Sequence, residues 1–150
     1  MGIEIKGLDE LVGRIGTAEM DEFCDDLVRS VTARLIDSAK KNTGVKTGML
    51  RRGWTGGAEN SGIVFMATQN ITKNGTSHSY TLTNAVEYAS YYEYGHRQTP
   101  GRYVPAIGKR LVASYVNGRY PLKKAEQTVN NELDAYVRKK VEKKLKEVFK

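Results

Sequence analysis

Glu87, Glu93 and His96 are the residues of this chain whose types and spacing could do chemistry. Two carboxylates and an imidazole so close in sequence could support acid–base catalysis or bind a metal ion. Their spacing matches no strong metal-ligand pattern, and the other materials of an enzyme site are sparse. We therefore expect no catalytic activity and no metal or other cofactor, and an enzyme centred on these three residues is the weakest alternative.

The rest of the sequence offers no phosphate-binding loop, and its other histidine and its single cysteine add little to this chemistry. The sequence contains no GxxxxGK[ST], and no GxGxxG follows a predicted strand, so it offers no motif for nucleotide phosphates. The stretch GVKTG at 44–48 follows a helix instead of leading into one, which is typical of a helix exit. His78 lies next to a predicted hairpin turn and is expected to be a solvated loop residue. The single cysteine, Cys24, excludes an internal disulfide and is expected to be a small apolar residue on the buried face of a helix.

The candidate chemical residues lie in a tyrosine-rich segment, 84–103, which reads NAVEYASYYEYGHRQTPGRY. Because tyrosine has an apolar body and a polar tip, we expect this cluster to be half buried, either under a loop or in an interface between chains. Four of the tyrosines cannot share one face of a helix at their spacing: Tyr88, Tyr91, Tyr92 and Tyr94. Some of them must therefore point away from the local core.

A long amphipathic helix is predicted before the tyrosine-rich segment. Apolar residues follow helical spacing from about Glu19 to Lys41, and acidic residues crowd the first turns, where the helix dipole favours them. The glycine-rich segment 45–60 that follows is predicted to be a flexible loop or extended arm. Its Trp54 cannot pack locally, so we expect it to be buried against the long helix or against a neighbouring subunit.

A β-hairpin is predicted between that arm and the tyrosine-rich segment. Residues 62–72 and 77–84 are rich in β-branched and aromatic residues, and they flank Asn74-Gly75, a pair that favours tight turns. A hairpin alone is marginally stable, so it should pack on the long helix, with further strands from near the N-terminus or from 45–57. The expected class is α+β: a long N-terminal amphipathic helix packed on a small antiparallel sheet, followed by C-terminal helices.

Two helices are predicted after the tyrosine-rich segment. Apolar residues three or four apart predict the first, which Asn117-Gly118 would end: Val104, Ile107, Leu111, Val112 and Tyr115. The second begins near Pro121 and continues to near residue 150 as a helical extension. With 150 residues, the chain is expected to form one domain, 1–150.

The net charge of +7 is unevenly distributed along the chain. Residues 1–37 hold nine acidic groups against four basic ones, so the basic excess lies in the remainder. Such asymmetry is typical of a nucleic-acid-binding face, or of self-association between acidic and basic surfaces. The last predicted helix supplies candidate DNA-facing cations, which would make the chain a nucleic-acid-binding module: Arg138, Lys139, Lys140, Lys143 and Lys144. The N-terminus resembles no signal peptide and no window approaches a membrane span, so we expect a soluble cytoplasmic protein.

Two blocks of sequence resemble a known family when they are taken together. They are KTGMLRRGW at 46–54, shortly after an amphipathic helix, and NAVEYASYYEYGH at 84–96, after a hairpin. In this order they resemble the tail-component family of tailed bacteriophages that is named after gene product 10 of phage HK97. The positions that carry the resemblance are Thr47, Gly48, Leu50, Arg51, Asn84, Tyr88, Ala89, Glu93 and Gly95.

The resemblance implies a structural virion protein at the neck or tail terminus, which assembles as a ring and joins the tail to the head connector. It implies three kinds of partner: further copies of the chain, neighbouring neck, connector or tail-tube proteins, and genomic DNA contacted non-specifically. It also implies a location in the virion after assembly in the bacterial cytoplasm, with no membrane partner. Candidate inter-subunit or partner contacts are Arg51, Trp54, Tyr88, Tyr91, Tyr92, Glu93, Tyr94, His96 and Tyr103. On this hypothesis Tyr92→Ala or Glu93→Ala would impair assembly while the monomer still melts cooperatively.

Overall fold

The computed structural model describes residues 13, 16–45, 48–54, 71–84 and 86–149. Within these ranges the fold is α+β, as the sequence predicts. The helices are α1 (Thr17–Asn42), α2 (Met49–Arg52), α3 (Ala89–Tyr94) and α4 (Pro121–Val148), with a 3-10 turn at Pro105–Ile107. The strands are β1 (Ile71–Asn74), β2 (Ser77–Tyr80), β3 (Gly95–Arg97), β4 (Tyr103–Val104), β5 (Lys109–Arg110) and β6 (Tyr115–Asn117). None of the described helices is long and apolar enough to cross a membrane.

Helices α1 and α4 form an antiparallel pair that is the frame of the fold. At one end the side-chain amide of Asn42 donates to the carbonyl of Pro121 (3.4 Å), and towards the other end Lys140 Nζ lies 3.0 Å from Asp26 Oδ2. Between them the guanidinium of Arg34 lies 4.1 Å from the ring centroid of Tyr136. The end of α1 therefore meets the start of α4. The helical periodicity of both segments predicted these two helices, and the structure confirms them.

The core is small and lies where the end of α1 meets the start of α4. Its buried members are Ile36, Ala39, Trp54 and Ala125, surrounded by the partly buried Leu35, Leu82 and Leu122. Because two of the buried residues are alanines, one on each helix, the helix backbones can approach closely and leave room for the indole of Trp54. This placement agrees with the expectation that Trp54 is buried against the long helix.

The predicted hairpin is confirmed over the residues that the structure describes. Strands β1 and β2 pair antiparallel from Ile71 with Tyr80 to Asn74 with Ser77, so Gly75-Thr76 is the two-residue loop. Gly75 has a φ of 61°, and a positive φ at the first loop residue is typical of a type II′ turn, which matches the twist of the strands. The hairpin packs on α1, as predicted, through β2. Residues 62–70 of the first predicted strand lie outside the described residues.

The prediction of a helix over 104–115 is wrong, because this segment belongs to a two-stranded β-ribbon. We call residues 95–117 the basic arm. Strand β3 pairs with β6 and β4 with β5, and between these pairs the N–H of Gln98 donates to Ser114 and the N–H of Gly101 to Leu111 (2.9 and 2.8 Å). The ribbon reverses at the 3-10 turn and Gly108, which has a φ of 62°. A glycine that can adopt this left-handed conformation and a proline that starts the turn favour a reversal over a continuous helix.

The glycine-rich segment predicted to be a loop or extended arm contains a short helix, α2, in its described part. Gly48, with a φ of 75°, precedes this helix, and Leu50 and Trp54 are both buried. Residues 49–52 are therefore helical where the sequence predicted a loop or extended arm, and Leu50 and Trp54 are buried against other parts of the fold. Residues 46–47 and 55–60 lie outside the described residues.

Candidate functional site

Glu93 lies at the centre of the candidate site and caps the start of α4. The N–H groups of Leu122 and Lys123 donate to its two carboxylate oxygens, at 3.0 Å to Oε2 and 3.1 Å to Oε1. The first N–H groups of a helix have no partner within the helix, and the helix dipole favours a negative charge at that end. Glu93 is only 7% exposed. A side chain thirty residues back in the chain therefore satisfies the start of α4 and fixes α3 to it.

Two segments of backbone lie in close contact beside Glu93, and this contact requires glycine at one position in each. Gly95 has a φ of +83°, and a Cβ there would lie 2.7 Å from the backbone nitrogen of Gly118. A Cβ on Gly118 would in turn lie 2.6 Å from the carbonyl carbon of Tyr94. Distances this short are clashes with backbone, which cannot move aside as a flexible side chain can. The glutamate–any–glycine pattern at 93–95 is thus explained by a helix cap followed by a close backbone contact.

Tyr92 ties α3 to the end of α1. Its hydroxyl oxygen accepts the N–H of Gly44 (2.9 Å), and its carbonyl accepts the N–H of Arg119 (2.9 Å). The guanidinium of Arg119 also lies 6.0 Å from the ring centroid of Tyr92. Tyr92 and Glu93 therefore both face inward and hold the fold. The expectation that alanine at either position would leave the monomer intact is not supported by this geometry.

Trp54 and Asn84 join the two sequence blocks that carry the family resemblance. The indole Nε1 donates to the Thr43 hydroxyl (2.8 Å), which itself donates to the carbonyl of Ala39 (2.7 Å). The Asn84 side-chain amide donates to the carbonyl of Leu50 (3.0 Å), and residues 54 and 84 form an antiparallel bridge. Gly53 lies directly under Asn84, where any Cβ would clash with the amide oxygen. Hydrogen bonds and close packing therefore hold the first block, 46–54, against the second, 84–96.

Several of the predicted contact residues are on the surface. Tyr91 is 59% and Tyr94 65% exposed, on either side of the buried Glu93, and Tyr88 at the start of α3 is also exposed. We call Tyr88, Tyr91 and Tyr94 the tyrosine face. The prediction that some of the clustered tyrosines point outward is therefore confirmed, with Tyr92 as the inward member.

The remaining predicted contacts are divided between surface and core. Arg51 and Tyr103 are exposed, the latter on the basic arm, whereas Trp54 is buried at 4% exposure and is not accessible to a partner. His96 is partly buried, its ring centroid lies 5.5 Å from that of Tyr91, and its Nδ1 has no hydrogen-bond partner among the described residues. Arg51 and Tyr103 thus add surface residues that lie outside the tyrosine face.

The three residues with candidate chemistry do not form a joint reactive site. Both oxygens of Glu93 accept backbone N–H groups, so this carboxylate is already engaged as a cap, and Glu87 is exposed. Within the described ranges, no group of three or more His, Cys, Asp or Glu side chains is arranged to hold a metal ion. The geometry assigns Glu93 a structural role.

Comparison with protein families gives a match that covers the first sequence block and all of the second except His96. A protein-family model described as "Bacteriophage HK97-gp10, putative tail-component" matches residues 6–95. The chain belongs to the HK97-gp10-like family. Neither the search of curated proteins nor the search of solved structures found a match. The family resemblance inferred from the sequence is thereby confirmed.

In this HK97-gp10-like protein the match ends at Gly95, where the basic arm begins. It therefore includes Glu93 but not Leu122 and Lys123, the residues whose N–H groups Glu93 accepts. The basic arm after Gly95 and the whole of α4 lie outside the matched region.

Sequence reasoning missed a cluster of charged side chains that holds the hairpin on α1. His78 Nδ1 lies 2.6 Å from Asp25 Oδ1, its Nε2 lies 3.6 Å from Asp21 Oδ1, and its side chain is 4% exposed. The interpretation of His78 as a solvated loop residue is therefore wrong. Lys73 Nζ lies 2.8 Å from Asp25 Oδ2. The hydrogen bond from the ammonium of Lys73 holds the pKa of Asp25 below its usual value, and the hydrogen bond with His78 lowers this pKa further.

A signal for this cluster was present in the sequence but was not specific. Asp21 and Asp25 are four residues apart on one face of α1, and Lys73 and His78 flank the Asn-Gly turn. Only the packing of the hairpin brings the two pairs together across some fifty residues. The free thiol of Cys24 is partly buried, and that burial, with the charges of Asp21 and Asp25, raises its pKa.

The candidate DNA-facing cations of α4 lie in mixed-charge surroundings. Lys140 is paired with Asp26, and Lys143 lies 3.9 Å from Glu147. A cleft between the start of α1 and the end of α4 is lined by both signs: Glu19, Glu22, Phe23, Asp26, Lys140, Lys143, Lys144 and Glu147. Arg138 and Lys139 are exposed. The acidic start of α1 and the basic end of α4 therefore meet within one chain, which explains part of the charge asymmetry without a partner.

Proposed function

We propose that this protein is a structural subunit of a tailed phage or phage-like particle that assembles as a ring at the neck or tail terminus. In this position it joins the tail to the head connector, with further copies of itself and with neighbouring neck, connector or tail-tube proteins as partners. Membership of a family of bacteriophage tail components supports the tail role. The proposed action is mechanical, by contact between subunits, without catalysis.

The tyrosine face is the observation that carries the assembly proposal. Monomeric proteins rarely leave large apolar side chains clustered on the surface, and tyrosine is enriched in interfaces because it combines a rigid apolar ring with a polar tip. Tyr91 and Tyr94 are each more than half exposed although they flank a buried residue. A partner that covers them would remove apolar area from water at little cost in side-chain entropy.

The backbone beneath the tyrosine face is held rigidly, which suits a contact surface. The two carboxylate oxygens of Glu93 bind the start of α4, and the hydroxyl of Tyr92 binds the end of α1. The presented rings therefore start from a preorganised helix, and less entropy is lost on binding. A ring of more than two copies requires one such surface to meet a different surface on the next copy, because an isologous contact is complete in a dimer.

The test is a double substitution in the tyrosine face, Tyr91→Ser with Tyr94→Ser. We expect unchanged cooperative melting, loss of ring species in native mass spectrometry, and particles with unjoined heads and tails in negative-stain electron microscopy. The matched control is Val45→Ser, which removes another exposed apolar side chain, 64% exposed, in the segment that follows α1. Normal joining of heads to tails in the double variant would contradict the proposal. Equal loss of joining in the Val45→Ser control would show that a general increase in surface polarity, and not the tyrosine face, is responsible.

A further inference from the structure

The entire net charge of this protein lies in one continuous segment. Residues 95–124 contain seven Lys and Arg and no Asp or Glu. The other 17 of the 24 Lys and Arg are balanced by the 17 Asp and Glu of the chain. The excess of +7 therefore belongs to the basic arm and to the short stretch that leads from it into α4.

The cations of the basic arm have no carboxylate partners among the described residues. None of the ion pairs there involves an arm side chain. Arg97, Arg102, Lys109 and Arg110 are all exposed. Arg110 donates to the carbonyl of Gly101 (2.7 Å), a neutral acceptor that leaves its charge uncompensated. On α4, by contrast, Lys140 and Lys143 lie beside carboxylates.

The shape of the arm restricts what can bind it. It is a two-stranded ribbon whose outer edges are unpaired in the described structure, and it also exposes apolar side chains, with Val112 at 90%. An isolated ribbon of this kind is marginally stable in water, so a partner would be expected to order it. The major groove of B-DNA, about 12 Å wide, admits a two-stranded β-ribbon.

Charge distribution favours a nucleic acid over an acidic protein as the partner. Protein interfaces are depleted of charged residues at their centres, whereas protein–DNA interfaces are much more positively charged. A ribbon with cations on both strands and no acidic residue matches a polyanion whose phosphates repeat along its whole length. We propose that the basic arm is a sequence-independent binding site for duplex DNA, in which its Arg and Lys side chains contact backbone phosphates.

The experiment compares two variants that lose the same charge from different places. The arm variant is Arg97→Gln/Arg102→Gln/Lys109→Gln. The control variant carries Gln at three candidate DNA-facing positions of α4: Arg138→Gln/Lys139→Gln/Lys143→Gln. Both reduce the net charge by three, so a general effect of charge weakens binding equally in both. Circular dichroism and melting curves establish that each variant is folded.

Binding of a labelled mixed-sequence duplex of thirty base pairs is measured by fluorescence anisotropy across a series of salt concentrations. The affinity of the wild-type chain should fall steeply as salt rises, by about 0.9 in log–log slope for each phosphate contacted. The arm variant should lose about 2.7 of that slope if its three cations each contact a phosphate. The control variant should keep nearly the wild-type slope.

Three outcomes would overturn the proposal. They are no binding by the wild-type chain at low salt, an arm variant that binds like wild type, and a control variant that loses as much slope as the arm variant. The last would assign DNA contact to α4 or to net charge alone. These results are independent of the proposed ring, because they concern the free chain and duplex. A protein that binds no DNA could still join tails to heads through its tyrosine face.

Discussion

Replacement of Glu93 tests most sharply whether the tyrosine-rich segment is a structural junction. Its carboxylate accepts the N–H groups of Leu122 and Lys123 at 3.0 and 3.1 Å and is 7% exposed. In Glu93→Ala both N–H groups lose their acceptor in a place that water reaches poorly. The start of α4 should then loosen, and with it the attachment of α4 to α3.

The expected loss of unfolding free energy in Glu93→Ala follows from two hydrogen bonds to a charged acceptor. Bonds of this kind contribute about 1.5–3 kcal/mol each, and removal of a helix cap costs about 0.5–2 kcal/mol. Because these values describe the same interaction and partial solvation will recover some of it, we expect Glu93→Ala to cost about 2–4 kcal/mol in unfolding free energy. Glu93→Gln keeps one acceptor oxygen but turns a donor towards the other N–H, so it should cost about half as much.

Urea unfolding followed by circular dichroism measures these differences, and a melting curve provides a second reading. For a chain of 150 residues, a loss of about 3 kcal/mol should lower Tm by about 6–12 °C. Glu87→Ala is the matched control, since Glu87 is an exposed glutamate of the same segment and should change stability by less than about 0.5 kcal/mol. Equal stability of the Glu93→Ala and Glu87→Ala variants would refute the reasoning that Glu93 caps α4.

Three further substitutions test other contacts of the fold. Gly53→Ala places a Cβ against the amide of Asn84, and overpacking of this kind should cost about 1–3 kcal/mol in urea unfolding. Thr43→Val removes the acceptor of the buried Trp54 N–H and should cost about 1–3 kcal/mol, measured in the same way. Asp25→Asn should destabilise the protein most above pH 4, because a carboxylate with a lowered folded-state pKa stabilises above its unfolded pKa of about 3.9. The difference from wild type should shrink as pH falls through the folded-state pKa, in urea unfolding between pH 2 and 7.

Each of these substitutions has a matched control in the described part of the chain. Gly13→Ala adds a methyl group in open space at a residue without a positive φ, so it should cost far less than Gly53→Ala. Thr128→Val removes an exposed hydroxyl that bonds within α4 and should be nearly neutral. Asp37→Asn removes an exposed carboxylate paired with Lys41, and exposed pairs contribute little to stability, so this variant should unfold nearly like wild type. A control as costly as its partner would contradict the contact in question.

Periodic and local features of this fold could be predicted from the sequence. The unbroken helical spacing before residue 42 and after Pro121 gave α1 and α4, and the Asn-Gly pair gave the hairpin turn. Local turn chemistry acts on neighbouring residues, so it is visible in a single sequence. The same rules failed over 104–115, where apolar residues at helical spacing belong to an exposed ribbon. There the left-handed glycine at 108 and the turn-forming Pro105 outweigh periodicity.

The candidate site was only partly predictable because its bonds join distant residues. The sequence identified Glu93 as notable, but its partners lie 29 and 30 residues away, at the start of another helix. The hydroxyl of Tyr92 meets Gly44 across 48 residues, and His78 meets Asp25 across 53. A run of residues at fixed spacing carries no information on which pairs meet when elements pack. The absence of acidic residues from 95 to 124 was visible, but its meaning depended on the ribbon.

The proposed role of this family member, a structural ring subunit, depends on contact through its tyrosine face. Cryo-electron microscopy of purified particles tests it most directly. We expect ring density at the neck or tail terminus that fits this fold, with Tyr91 and Tyr94 covered by a neighbouring subunit. Particles that lack the protein, or a ring in which both tyrosines face solvent, would contradict it.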